Sequence, residues 1–287
     1  MNILNPIIDI CKSIHYTNED IEFELISGNQ NSGIYLLSGG NPSLIVKFGE
    51  DLPNHFFNAE LNGLELIRKT NTFRVPNVIE TGVKDKQQFI VLEYLEYYHG
   101  KPNWIRFGEL LAKMHLHTNT TFGLDSTNFI SKLNQSNTPK DNWISFYFGE
   151  RILPQIELAQ KNGFLGKIMT TDIYTLESWL TDHSSEIKPS LLHGDLWNGN
   201  ARFDISGMPV LIDPSVYYGD REIDLAMMHL FGGFPQETFE AYNRVYPLNR
   251  DWENRISLYQ LYPVLVHINL FGRMYEQQAL RIIESYQ

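Results

Sequence analysis

The chain has 287 residues, of which 43% are hydrophobic and 20% charged, enough for one large domain or two lobes with real cores. Its 23 Lys and Arg face 34 Asp and Glu, a formal charge of −11 with no basic block able to track a phosphate backbone. Nucleic acid is excluded as the expected partner, neutral or cationic small molecules are admitted, and the single Cys11 rules out a disulfide framework, in keeping with a reducing cytoplasm.

The opening stretch 1–15 is interrupted by Asn5, Pro6 and Asp9 and lacks the basic start and unbroken apolar run of a signal peptide. Residues 21–26, 34–38 and 44–48 are short β-rich runs separated by GNQNSG and GGNPS, the pattern of consecutive antiparallel strands. Residues 54–69 carry Phe57, Leu61, Leu64 and Ile67 at helical spacing, and Pro76 marks the stop. Two further strands fit 78–82 and 89–95. From Trp104 onward the pattern is helical, over 104–118, 143–160, 173–183, 222–231, 236–245 and 252–266. The most apolar late stretch, 263–272, carries His267 and Asn269 and falls short of the ~18 apolar residues a membrane span needs. The expected class is α+β and bilobal: a strand-rich lobe with one key helix over 1–95 and a mainly helical lobe over 96–287, joined near 93–98.

The segment 193–200 reads HGDLWNGN, and an apolar hairpin pattern then leads to Asp213. Phosphoryl transfer needs a carboxylate beside the attacking hydroxyl and oxygen ligands that hold Mg²⁺ against nucleotide phosphates. Asp195, Asn200 and Asp213 supply such a set, and Gly194 and Gly199 let the loop bend so that the first two face one site. Capping of turns by Asx side chains is the rival account of Asp195 and Asn200. Lys47 lies inside the apolar run LIVKF and needs an anionic partner, for which Glu60 on the following helix is the natural candidate. Such a Lys–Glu pair positions the α- and β-phosphates in kinases; a lysine snorkelling from an edge strand is the alternative. Gly28 to Gly33 stands where a phosphate-covering loop would fall, though without G-x-G-x-x-G spacing, and without Lys47 and Asp195 a plain β-turn is the better reading. Glu93 and Leu95, after the fifth strand, could offer backbone groups to an adenine ring. His115 and His117, two apart near a helix end, point to different faces and make no metal pair.

The stretches HGDLWNGN at 193–200 and DPSVYYGDREIDLAMMHLFGGF at 213–234 resemble the fructosamine kinase (ketosamine-3-kinase) family, related to aminoglycoside and choline kinases within the protein-kinase-like fold. FGELLAKMH at 107–115, WISFYFGERILPQIELA at 143–159, LYQLY at 258–262 and NLFG at 269–272 extend the resemblance over most of the chain. It implies ATP and Mg²⁺ as cofactors, a nucleotide-binding lobe over 1–95 and a catalytic and substrate lobe over 96–287. It further implies Asp195 as base, Asn200 and Asp213 as metal ligands, Lys47 with Glu60 as phosphate clamp, and Trp197 as a wall for the sugar. The implied reaction phosphorylates the 3-hydroxyl of a small-molecule or protein-bound ketosamine, repairing early glycation in the cytoplasm without nucleic acid or membrane partners. Another amine-bearing alcohol as acceptor is the enzyme alternative; a non-catalytic pseudokinase is argued against by the intact Lys47, Glu60, Asp195, Asn200 and Asp213.

The sequence also departs from its cousins. Gly194 replaces the arginine of protein kinases, Pro214-Ser215 follows Asp213, and the short stretch to Arg221 leaves little room for a switchable segment, so a constitutively assembled site is expected. The phosphate turn lacks the cysteine through which some family members can be redox-regulated. Asp220 and Ser131 stand where the family leads one to expect His and Gly.

Overall fold

The computed structural model describes residues 5–13, 16, 21–29, 31–84, 86–166, 168, 170–184 and 186–286; Gln30 of the GNQNSG turn and parts of the 1–15 stretch lie outside them. Helix α1 (Asn5–Ser13) leads into strands β1 (Glu22–Gly28), β2 (Ser32–Ser38) and β3 (Leu44–Gly49), helix α2 (Phe56–Lys69), and strands β4 (Val78–Lys84) and β5 (Gln87–Glu93). The five strands form one antiparallel sheet in the order β1-β2-β3-β5-β4.

Alternation of side chains gives this sheet two different faces. Leu44, Val46 and Phe48 of β3 and Phe89 and Val91 of β5 bury against Ile7, Ile10 and Cys11 of α1. Ile90 and Leu92 of β5 point the other way, into a core with Phe57, Leu64 and Ile67 of α2. Lys47, in register with Ile34 and Ile90, belongs to this second face. The strand expected over 89–95 ends at Glu93, which leaves Leu95 beyond the sheet.

The helical part starts with α3 (Trp104–His115) and a hairpin of β6 (Asn128–Ile130) and β7 (Leu133–Gln135). The single helix expected over 143–160 is interrupted: α4 (Trp143–Phe146) and α5 (Leu153–Lys161) flank a π-helical turn, Tyr147–Ile152. That turn carries Arg151, a buried cation over the faces of Tyr217 and Phe146 at 4.0 and 4.7 Å. Helix α6 (Thr170–Asp182), β8 (Ser190–Leu192), β9 (Ala201–Phe203), β10 (Pro209–Leu211), β11 (Tyr217–Gly219), α7 (Glu222–Phe231), α8 (Gln236–Val245), α9 (Glu253–Phe271) and α10 (Glu276–Glu284) complete the chain. Strand β8 pairs antiparallel with β11, and β9 with β10, so the segments around 193–200 and 212–216 are brought side by side. None of the described helices is long and apolar enough to cross a membrane.

Helices α3 and α8 approach to backbone contact at Gly108, where a Cβ would lie 2.1 Å from the Thr238 carbonyl oxygen. Because backbone on both sides would have to move, Gly108→Val is expected to cost about 2–3 kcal/mol, seen as a lower urea midpoint at unchanged m-value.

Candidate active site

Strand β3 carries Lys47 to the inner face of the sheet, and α2 turns Glu60 toward it from the side that also buries Phe57 and Leu64. Lys47 Nζ stands 2.6 Å from Glu60 Oε1 and also contacts the Asp213 carboxylate. Burial alone would lower the ammonium's pKa; the Asp213 and Glu60 carboxylates outweigh it and raise Lys47 above its ordinary value. Asp213 reaches this point through a left-handed backbone, φ 54°. Its neighbour Pro214 packs on Gly63 of α2, where a Cβ would come 3.0 Å from the ring.

The loop after β8 is built around His193, whose ring is fully buried. The Asp195 amide donates to His193 Nδ1 (3.3 Å), which makes Nδ1 an acceptor and leaves the proton on Nε2, donated to the Ile212 carbonyl at 2.9 Å. Burial depresses the imidazole pKa, consistent with this neutral tautomer. Gly194, at φ 82°, lies so close to Ser215 that a Cβ would sit 2.1 Å from its carbonyl oxygen. Asn200 donates to the Asp195 carbonyl (2.8 Å) and to Asp195 Oδ2 (3.2 Å). Both Asx residues thus serve the loop's own turn as well as facing the cavity. The Trp197 indole folds over Gly199 and remains 43% exposed.

Asp224 holds this loop from behind. Fully buried on α7, it accepts from the amides of His193 (2.7 Å) and Gly194 (2.9 Å) and pairs with His115 at 3.1 Å. Burial pushes this carboxyl up, but those donors outweigh it and hold it below the usual range. Its signal in the sequence is an acid inside the apolar helix stretch IDLAMM, which must find buried donors by the logic applied to Lys47.

A cavity of about 540 Å³ collects eight of the ten candidate residues, all except Glu93 and Leu95. Glu93 instead pairs with Arg74 at 2.7 Å and bonds Asn77, and Leu95 is buried past the strand end. Among the described residues no group of three or more His, Cys, Asp or Glu could hold a metal by itself. A pair of oxygen donors beside a phosphate cradle nevertheless suits Mg²⁺, which takes one or two protein ligands and completes its shell with phosphate and water. Asn200 and Asp213 line the same cavity as the Gly28–Gly33 turn and fit that requirement.

The fructosamine kinase family profile matches residues 9–287. The chain belongs to this family. Protein-ribulosamine 3-kinase of Arabidopsis thaliana, a chloroplast protein, is 34% identical over 253 residues, 85% of this chain and 76% of that one. A provisionally assigned fructosamine-3-kinase from Haemophilus somnus superposes with a TM-score of 0.87 at 26% identity, covering 98% of this chain and 96% of the other. A thermostable mutant of an aminoglycoside phosphotransferase, crystallised with ADP and hygromycin B, shares the fold alone: TM-score 0.62 at 13% identity, with 97% of each chain covered. The chain is therefore an ATP-dependent kinase of the ketosamine-kinase type, with the α+β protein-kinase-like fold.

Burial, followed by the nearby Asp213 charge, lifts the Asp195 carboxyl to about 7. An unfolded aspartate loses its proton near pH ~4, so the native state holds the extra proton between that value and about 7, and stability at this site falls as pH rises through the window. In protein free of nucleotide and divalent cations, Asp195→Asn should add ~2 kcal/mol of stability at pH 8, with the gain fading below pH ~5; urea titrations at the two pH values test it.

Proposed function

We propose that the chain transfers the γ-phosphoryl group of ATP to the 3-hydroxyl of a ketosamine, a fructosamine or ribulosamine, and thereby repairs early glycation in the cytoplasm. The observation that carries this proposal is the convergence of Lys47, Asp195, Asn200 and Asp213 on one cavity beside the Gly28–Gly33 turn. The 3-kinase activity named for the plant relative supports the choice of hydroxyl.

On this reading residues 1–95 bind the nucleotide. Lys47, kept charged and held by Glu60, engages the α- and β-phosphates, and the small residues of the Gly28–Gly33 turn cover them. Residues 96–287 supply the rest. Asp195 accepts the proton of the 3-hydroxyl as its oxygen bonds to the γ-phosphorus and the bond to the ADP oxygen breaks. A raised carboxyl suits that step, since at about 7 it is partly ionised at neutral pH and basic enough to take a proton. Asn200 and Asp213 would hold Mg²⁺, which when bound neutralises charge on the transferring phosphoryl group. Trp197 offers an exposed aromatic face to a polyhydroxylated amine.

Turnover with a ribulosamine or fructosamine, but not with aminoglycosides or choline, together with mapping of the phosphate to O3, is the decisive measurement. Asp195→Asn should lower kcat by ~10²-fold or more, and chelation of divalent cations should abolish turnover. An Asp195→Asn enzyme with undiminished kcat removes Asp195 as the base.

A further inference from the structure

We propose that Lys132 recognises a carboxylate on the acceptor, so that ketosamines of free amino acids are better substrates than those whose amine carries no neighbouring anion. The proposal rests on the acceptor assignment above and names the substrate class within it.

Among the described residues two cations line the cavity, Lys47 and Lys132. Lys47 is engaged with Glu60 and Asp213. Lys132, an exposed residue at the tip of the β6–β7 hairpin, makes no ion pair with any described residue. The residue before it, Ser131, has φ 53°, as the first position of the two-residue connection between the paired Ile130 and Leu133 requires.

The hairpin is bonded to its neighbours below the tip. Asn128 Nδ2 donates to the Val216 carbonyl (2.7 Å), Gln135 Nε2 to the Ser215 carbonyl (3.2 Å), and Ser215 Oγ to the Phe129 carbonyl (2.8 Å). Buried Arg151 reaches Asn137 Oδ1 at 2.6 Å, and Asn137 in turn reaches Asn128 Oδ1 at 2.8 Å. Phe129 packs on Phe56 with ring centroids 5.0 Å apart. The hairpin is thus fastened to the segment that begins with Asp213, and its tip keeps a fixed place on the wall shared with Asp195 and Trp197.

Charge decides the ligand. On the proposed reading the phosphates of the donor are matched by Lys47 and by the metal that Asn200 and Asp213 would hold. A ketosamine is itself cationic at its secondary amine, so a second unpaired ammonium in the cavity disfavours an acceptor whose only charge is that amine. A carboxylate on the amine-bearing carbon converts this repulsion into a charge-assisted hydrogen bond.

The test compares kcat/KM for N-(1-deoxyfructosyl)glycine and for its glycinamide counterpart. Wild-type enzyme should prefer the carboxylate, Lys132→Met should reduce that preference roughly tenfold, the size of one charge-assisted hydrogen bond, and Lys132→Arg should restore it. An unchanged ratio in Lys132→Met overturns the proposal while turnover of the amide still upholds the kinase reading. An equal loss on both acceptors with a raised KM for ATP also overturns it, by giving Lys132 to the nucleotide. Absence of turnover with either acceptor removes the acceptor assignment and this proposal together.

Discussion

A lysine ammonium withdrawn from water and held between two carboxylates ties together three parts of the chain that are distant in sequence. Lys47 comes from the sheet, Glu60 from α2, and Asp213 from beyond β10. Burying a single charge is costly, and the cost is offset only while partners remain in contact. Replacing either acid leaves the ammonium short of a partner, while replacing the lysine leaves two acids facing one another. Local backbone choices follow from that demand: Asp213 accepts a left-handed φ of 54°, and Gly63 gives up a side chain so that Pro214 can sit on α2. Because β11 begins at Tyr217, only three residues separate it from Asp213, and the assembly involves no long segment that must be ordered first.

The acids deeper in the fold respond to burial in opposite directions, and the number of donors each one meets explains the difference. Asp224 is completely buried yet held low, since two loop amides and His115 all point hydrogen at it. Asp195 has a single side-chain donor in Asn200 and a like charge in Asp213, and burial carries it up. Glu222 is paired bidentately with Arg255 at 2.6 and 2.7 Å but is still pushed up to about 7 by burial and by Asp220. The loop therefore has a firmly ionised carboxylate behind it and a readily protonated one in front. The front carboxylate can change its proton without loosening the backbone that carries it.

How much of this was legible depended on whether the deciding interaction was local. The short strands and α2, α7 and α8 announce themselves through period and turn residues, and the bounds of α7 and α8 coincide with 222–231 and 236–245. Lys47 and Glu60 could be singled out because a charge in an apolar strand needs a partner wherever it folds. The π-helical turn at Tyr147–Ile152 left no mark on the apolar periodicity, for it answers to Arg151 reaching Asn137 and Tyr217 across the fold. The β6–β7 hairpin has strands of three residues each, too short for alternation to speak, and it is specified by side chains bonding Ser215 and Val216 some eighty residues away. Helix α9 runs through Pro263 to Phe271, past the expected end at 266, because packing rather than propensity sets its length.

Two of the departures flagged in the sequence, Asp220 and Ser131, have unequal physical consequences. Asp220 is absorbed by the scaffold: buried, it accepts from Tyr259 at 2.6 Å and from the Glu222 amide at 3.0 Å, so that a carboxylate caps the start of α7. Ser131 is not absorbed in that way. It occupies a left-handed turn that glycine would enter without steric cost, and it does so at the rim of the cavity, immediately before Lys132. Its positive φ follows from the turn itself, since Ile130 pairs with Leu133 and leaves Ser131 and Lys132 as a two-residue connection. The bonds of Asn128 and Gln135 to Val216 and Ser215 tie the hairpin to the segment that begins with Asp213, so that its tip is held in register with that wall of the cavity.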